Sequence, residues 1–325
     1  MNRAAALVRR RVAQAVPTLL IVLVANFLLL RLAPGDVVDT LMITQGGGDP
    51  AIAAQLRTEY GLDQPWPVQL AVYLWKMARF DLGHSFFYNQ RVAVLIGERL
   101  PTTLLLMSTA IAFAASFGSA LGIAAAQRAG GWRDVAILTF GLVCYALPSF
   151  WVGLMLVVLF AVKLQWLPVG GIATPGAGLG GIDHMLDVAR HVVLPAATLS
   201  LFFVGVYLRI VRGAVIDVFA QDFVRTARAK GLSEWQVSLR HVARHALLPV
   251  TTMLGLHAAT MLGGSVVVEG LFAIPGMGRL AFDAVAQRDT NTLLGIVYVS
   301  ALVVVVVNLI VDLAYAAIDP RIRAA

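Results

Sequence analysis

Six stretches of about 20 mostly apolar residues recur along this chain, at approximately 12–31, 102–126, 135–162, 192–211, 247–268 and 292–313. Each is as long as a helix must be to cross the hydrocarbon core of a bilayer. A soluble globule cannot absorb them. Hydrophobic residues make up 59% of the 325 and charged residues 13%, about half the roughly 25% of an ordinary soluble domain. Too few charges remain to coat a surface around so much apolar mass. The chain therefore reads as one integral membrane domain. Its only cysteine, Cys144, excludes an internal disulfide framework and a thiolate metal cluster, and on an apolar helix it reads as a small core residue.

The spans carry some irregularities. Pro17, Pro148, Pro195 and Pro249 fall in or beside them, and kinks there are tolerable because neighbouring groups re-satisfy the freed carbonyls. The fourth span reads as the weakest, since Pro195 lies near its start and Arg209 and Arg212 close it. Gly118 and Gly122 in the second span form a GxxxG pair. Either it permits close helix contact or it is two small residues in an alanine-rich helix.

Arg3, Arg9, Arg10 and Arg11 precede the first apolar run as they would in a secretory signal. The run is longer than an ordinary signal core and no A-x-A-like cleavage site follows it, so it is expected to be a retained helix. Orientation follows from the basic residues. With the N-terminus inside, the cytosolic segments hold those four arginines, then Arg128 and Arg133, then Arg209, Arg212, Arg225, Arg228, Lys230, Arg240 and Arg244, and finally Arg321 and Arg323. That is the majority of the 25 basic residues, which predicts six spans with both termini cytosolic. The net charge of +7 is then a topology signal, and no basic stripe with interleaved aromatics points to nucleic acid.

The largest external excursion is 33–100. Gly46-Gly47-Gly48-Asp49-Pro50 is a flexible break, and Tyr60-Gly61-Leu62-Asp63-Gln64-Pro65-Trp66-Pro67 a stiff turn. Residues 68–80 read as an amphipathic helix with Leu70, Tyr73, Leu74 and Met77 on one face. A loop of this length is either functional or a packed cap over helix ends. In the loop 163–191, Gly176-Ala177-Gly178-Leu179-Gly180-Gly181 matches GxGxxG only formally. That fingerprint has meaning between a strand and a helix, and here the expectation is a flexible linker.

The cytosolic stretch 213–246 is the most specified segment. Asp222 can cap a helix through Phe223–Lys230, whose basic residues gather toward its C-terminus as the helix dipole prefers. Gly231 stands where a helix-ending residue takes positive φ. Ser233-Glu234-Trp235-Gln236 forms a capping box, with Leu232 and Val237 as the hydrophobic staple. One helix stops and another starts within about two residues, a sharp elbow. In the second helix Leu232, Trp235, Leu239, Val242 and Ala246 form an apolar stripe that packs under the membrane helices. The elbow itself reads as a docking knob for a partner.

Chemistry is conspicuously missing. None of the three lysines, Lys76, Lys163 and Lys230, stands in a phosphate-binding loop. His241 and His245 are four apart, but no glutamate lies between them, so a zinc-protease motif is excluded. There is no GxSxG elbow and no paired carboxylates placed for hydrolysis. Glu269 and Asp312 lie near span ends, while Asn26 and Asn308 are the main polar side chains within spans. A charge-relay pump is not indicated, and any energy for transport must come from another subunit.

The segment from Asp222-Phe223-Val224-Arg225-Thr226-Ala227-Arg228-Ala229-Lys230-Gly231-Leu232-Ser233 to Leu247-Leu248-Pro249 resembles the EAA coupling loop of bacterial ABC importer permeases. It is most similar to the dipeptide/oligopeptide (peptide/nickel) permease family, in the subunit with the long first external loop. The likeness extends along the chain, through Arg31-Leu32-Ala33-Pro34-Gly35-Asp36, Gly61-Leu62-Asp63-Gln64-Pro65, Asp81-Leu82-Gly83-His84-Ser85 and Arg99-Leu100-Pro101-Thr102-Thr103-Leu104. It continues through Leu147-Pro148-Ser149-Phe150-Trp151, Leu164-Gln165-Trp166-Leu167-Pro168, Val268–Gly278 and Ile318–Arg323. The Glu-Ala-Ala triplet of the wider superfamily is replaced by Arg225-Thr226-Ala227, so contacts known for sugar importers do not transfer one to one.

The resemblance implies an all-α polytopic membrane protein with six transmembrane helices and the type I ABC importer permease (MetI-like) fold. Residues 1–100 would be the N-terminal helix and extracytoplasmic loop region, and 101–325 the permease core with its coupling elbow at 213–246. The chain would be a non-catalytic subunit of the bacterial inner membrane. Its partners would be a homologous second permease, two ABC ATPases that carry the ATP and magnesium, an extracytoplasmic solute-binding protein and the lipid bilayer. By this resemblance Arg225, Thr226, Ala227, Gly231, Leu232 and Ser233 would contact the ATPase. Glu269, Phe272, Pro275 and Gly276 would shape an outer gate near the translocation path. The cargo would be a peptide or similar small solute, since nickel complexes, glutathione, opines and sugars are carried by relatives. The rival readings are a stand-alone secondary carrier or channel, and a membrane scaffold with no path.

Overall fold

The computed structural model of the chain describes residues 3–32, 38, 42, 50–59, 62–85, 87–233, 236–237 and 248–318. Helices carry nearly all of these residues. In chain order they are α1 (Arg3–Leu32), α2 (Pro50–Glu59), α3 (Trp66–Ala78), α4 (Val92–Ala126), α5 (Trp132–Ala146) and α6 (Ser149–Leu156). A π-helical stretch, Val157–Lys163, prolongs α6, and α7 (Gly181–Phe219), α8 (Asp222–Ala229), α9 (Leu248–Leu271), α10 (Met277–Ala286) and α11 (Thr290–Ile318) follow. The short strands β1 (His84–Ser85) and β2 (Gln90–Arg91) pair antiparallel, His84 opposite Arg91. The chain divides into two compact units, residues 1–101 with 280–309, and residues 102–279 with 310–325.

In the first unit, α3 begins at Pro65-Trp66-Pro67, where a proline in the first turn costs no hydrogen bond. It buries Met77 and half-buries Leu70, Tyr73 and Leu74, the face expected from their spacing. Tyr73 lies 5.9 Å from the Phe27 ring of α1. The β1–β2 hairpin is tied to the start of α11. Asp289 caps that helix, accepting the Thr292 hydroxyl at 2.6 Å and its backbone N–H at 3.3 Å. The Ser85 hydroxyl also donates to Asp289, and Asn291 donates to the His84 carbonyl at 3.0 Å. Gly83, at φ +83°, makes the turn that brings the hairpin there.

The second unit is organised around α7. Of its most apolar 18-residue window 72% is buried, against 33% for α4, and α5, α6 and α9 all pack on it. The span that reads as weakest in sequence is thus the most enclosed. Pro195 is buried and Arg212 is paired with Asp134 of α5, a tertiary effect that hydropathy does not register. Glycines permit backbone contact around it. A Cβ on Gly118 would lie 2.9 Å from the Val204 carbonyl oxygen, one on Gly122 2.7 Å from that of Leu208, and one on Gly205 2.4 Å from that of Gly141. The GxxxG pair is therefore a contact between α4 and α7.

Other expectations change. The third span is broken: α5 ends at Ala146, and after Leu147-Pro148 the chain resumes at a bend of 105°. Proline at 148 has no N–H to continue the ladder, and Leu147 before it is extended at ψ 135°. The end of the loop 163–191 is helical, because α7 already begins at Gly181. By length and apolarity the described residues supply three spans, or four with the bent pair counted as one, against six expected. The first expected span falls on α1, which carries the apolar stretch Ala13–Leu29. The fifth falls on α9. The stripe residues Trp235, Leu239, Val242 and Ala246, the histidines His241 and His245, the Gly46–Asp49 break and the segment from Asp319 onward lie outside the described residues.

Candidate functional site

The elbow forms as its local chemistry dictates. α7 ends at Phe219, and α8 starts three residues later with Asp222 in its first turn, where negative charge suits the helix dipole. The carboxylate lies 3.7 Å from Arg225, both exposed. At the other end Gly231 takes φ +80°, a conformation costing an L-residue about 1–2 kcal/mol. The Leu232 N–H reaches back to the Ala227 carbonyl at 3.4 Å, the long closing bond of a Schellman motif. The capping box is complete: the Ser233 N–H donates to Gln236 Oε1 at 3.0 Å and the Gln236 N–H to Ser233 Oγ at 3.3 Å. The end of α8 and the Ser233–Gln236 turn that follows are thereby satisfied by the chain's own groups.

Burial divides the expected coupling residues. Arg225, Thr226, Gly231 and Ser233 are exposed and Leu232 is half-buried. Ala227 is only 5% exposed and joins Val224 and Val237 in the core that contains Val215 and Val218 of α7. Ala227 thus seats the elbow on the bundle, while its neighbours present the outer surface.

At the end of α9 the residues expected to shape a gate form a closed knot. Glu269 is fully buried. Its Oε1 accepts the Thr103 hydroxyl at 2.8 Å and its Oε2 the Arg279 N–H at 3.0 Å. Thr103 Oγ1 in turn accepts the Met277 N–H at 2.8 Å. Gly276 lies flat against it: a Cβ there would stand 2.3 Å from the Glu269 carboxyl carbon. Ala273 ends α9 at φ +51°, with the Ile274 N–H bonded to the Glu269 carbonyl at 2.9 Å. Phe272 is 1% exposed, its carbonyl accepts the Gly171 N–H at 2.8 Å, and Pro275 is half-buried. Bonded to donors from both sides, this carboxylate holds the turn after α9 in place.

One charged pair has no signal in the sequence. Asp134, at the start of α5 and 2% exposed, is gripped by Arg212 through two parallel bonds of 2.6 Å, and its Oδ2 also accepts the Gly130 N–H at 2.8 Å. This bidentate fork ties the turn between α4 and α5 to the last two turns of α7, just before the elbow. The partners stand 78 residues apart in sequence, and no local pattern links them.

Residues 118–324 match the family model described as binding-protein-dependent transport system inner membrane component, and residues 4–107 match the model for the N-terminal part of such components. A putative peptide transport system permease protein of Brucella abortus (strain 2308) is 40% identical over 318 residues, covering 98% of this chain and 99% of that one. The glutathione transport system permease protein GsiC of Salmonella choleraesuis (strain SC-B67) is 39% identical over 316 residues, 97% and 98% of the two chains. Among solved structures, a chain of the MetNI methionine ABC transporter in inward-facing conformations aligns at a TM-score of 0.55 with 14% identity. It covers 69% of this chain and 96% of that one, which is a likeness of fold.

Proposed function

Since the chain belongs to the family of binding-protein-dependent transport system inner membrane components, we propose that it is the peptide-conducting half of an importer, driven through the elbow at Asp222–Ser233. As a member of that family it is a non-catalytic permease subunit of a bacterial inner membrane, working with ATPase and binding-protein partners. Beyond that, the proposal is specific. Six helices cross the membrane with both termini cytosolic, residues 1–100 supplying the first span and external loop and 101–325 the core. A homologous second permease completes the path. Two ATPases, which bind ATP and magnesium, receive Arg225, Thr226, Gly231, Leu232 and Ser233 in a surface groove, with Ala227 as the seat beneath. The cargo is a peptide or a peptide-like solute such as glutathione, as the names of the relatives suggest. The knot of Glu269, Phe272, Pro275 and Gly276 frames the outer end of the path.

The observation that carries the reading is the self-capped corner at Gly231, borne on α8, which starts three residues beyond the end of the long, enclosed α7. A rigid corner of this kind transmits displacement between a soluble motor and the bundle. Replacing Arg225, Thr226 and Ser233 together by aspartate tests it. The variant should insert and assemble with the second permease yet fail to retain the ATPases on co-purification. Full retention of the ATPases with normal uptake would overturn the assignment.

A further inference from the structure

Arg209 is a charge that neither the elbow nor the Glu269 knot employs. It stands at the closing end of the apolar part of α7, and α7 side chains lean toward the helix N-terminus, away from the elbow. Arg209 Nε donates to the Gly205 carbonyl one turn up at 3.3 Å, and its guanidinium lies 4.8 Å from the centre of the Tyr145 ring. That ring stacks on Phe202 at 4.7 Å and 24°. Tyr145 stands at the far end of α5 from Asp134. Counting 1.5 Å of rise per residue, Arg209 stands about 4.5 Å further from the elbow along α7 than Arg212, the partner of Asp134. Arg209 is exposed, as are Tyr145 at 43% and Phe202 at 37%. Among the described residues no carboxylate pairs with it.

An arginine whose guanidinium turns back toward an apolar span does not face lipid when a wetter side is available; it marks a water-filled path or a partner. We infer that Arg209, Tyr145 and Phe202 form a cationic and aromatic ledge on the translocation path that receives the carboxylate of the passing solute. The inference rests on the importer reading given above and extends it to a site of stated chemistry. Nε is already committed to Gly205, so the terminal Nη groups remain to fork onto a carboxylate. The ring holds the guanidinium plane by cation–π attraction, and the Phe202 face offers apolar area to a side chain of the cargo. A carrier must release what it binds, and an exposed ledge of one cation and two rings suits transient capture.

The test uses the full complex of both permeases, ATPases and binding protein in proteoliposomes, with radiolabelled dialanine and glutathione as probes. Arg209→Gln should lower ATP-driven uptake by about tenfold or more, the scale of a lost charge-assisted bond, while Arg209→Lys keeps part of it. In a Cys144→Ser background, which removes the native buried thiol, the thiol introduced by Arg209→Cys should react with water-soluble methanethiosulfonates. A trimethylammonium adduct should restore uptake and a sulfonate adduct should not. Equal uptake by Arg209→Gln overturns the role of the arginine. Lack of reaction in the assembled complex also overturns it, placing the face against lipid or against a carboxylate of the second permease. If the unaltered complex imports neither probe, the peptide reading itself is rejected, and that control separates the two failures.

Discussion

Glu269 shows how a single side chain can fix a turn. Its carboxylate gathers a hydroxyl donor from Thr103 and a backbone donor from Arg279, and Gly276 is a glycine because a side chain there would collide with that carboxylate. Gly276→Ala should destabilise the protein by about 1–3 kcal/mol, the cost of forcing an extra carbon into a packed site, read as a lowered midpoint of thermal unfolding in detergent. Thr103→Val removes a donor from Glu269 and an acceptor from Met277 while keeping the volume. It should cost about 1–3 kcal/mol, and Thr103→Ser should recover most of it. Breaking the Asp134–Arg212 fork is a heavier change. Asp134→Asn leaves a guanidinium facing a neutral amide and should cost up to about 3–5 kcal/mol, whereas the double variant Asp134→Asn, Arg212→Gln should be milder than the sum of its parts.

At the scale of elements, the elbow is the part most legible in the sequence. Caps, a positive-φ glycine and a capping box are local signals, and Gly231, Ser233 and Gln236 adopt the roles their order announces. Gly231→Pro cannot take φ +80°. The variant should insert in the membrane at normal levels and abolish ATP-driven uptake, checked by transport alongside membrane fractionation. Amphipathic α3 is legible for the same reason, its face being written at helical spacing. The bend at Pro148 is less so. A proline in an apolar run reads as a tolerable kink, and whether it becomes a 105° break depends on what the next helix packs against. α7 is the least legible, since its proline and arginines look hostile to lipid until the helices surrounding them are known. The pairs Thr103–Glu269 and Asp134–Arg212 join residues 166 and 78 positions apart, a distance over which one sequence carries no pairing information.

For the whole molecule the decisive measurement is dependence on other subunits. The purified chain should neither bind nor hydrolyse ATP, and liposomes containing it alone should take up no peptide; ATP-driven uptake should begin only when the second permease, the ATPases and the binding protein are added. Solute flux through the lone chain would favour the rival reading of a self-sufficient carrier. The same dependence gives the long central helix a further meaning. Its 39 residues extend about 58 Å at 1.5 Å per residue. Phe219 at one end adjoins the corner, and Gly181 stands at the other. A swing of only about 5° at the inner tip would sweep the outer tip through roughly 5 Å if the helix stays straight. A lever of this reach turns a small motor displacement into an opening the width of a peptide backbone. Pro195, without an N–H to stiffen the ladder, is where such a lever would first flex, and so where stroke and opening could fall out of step.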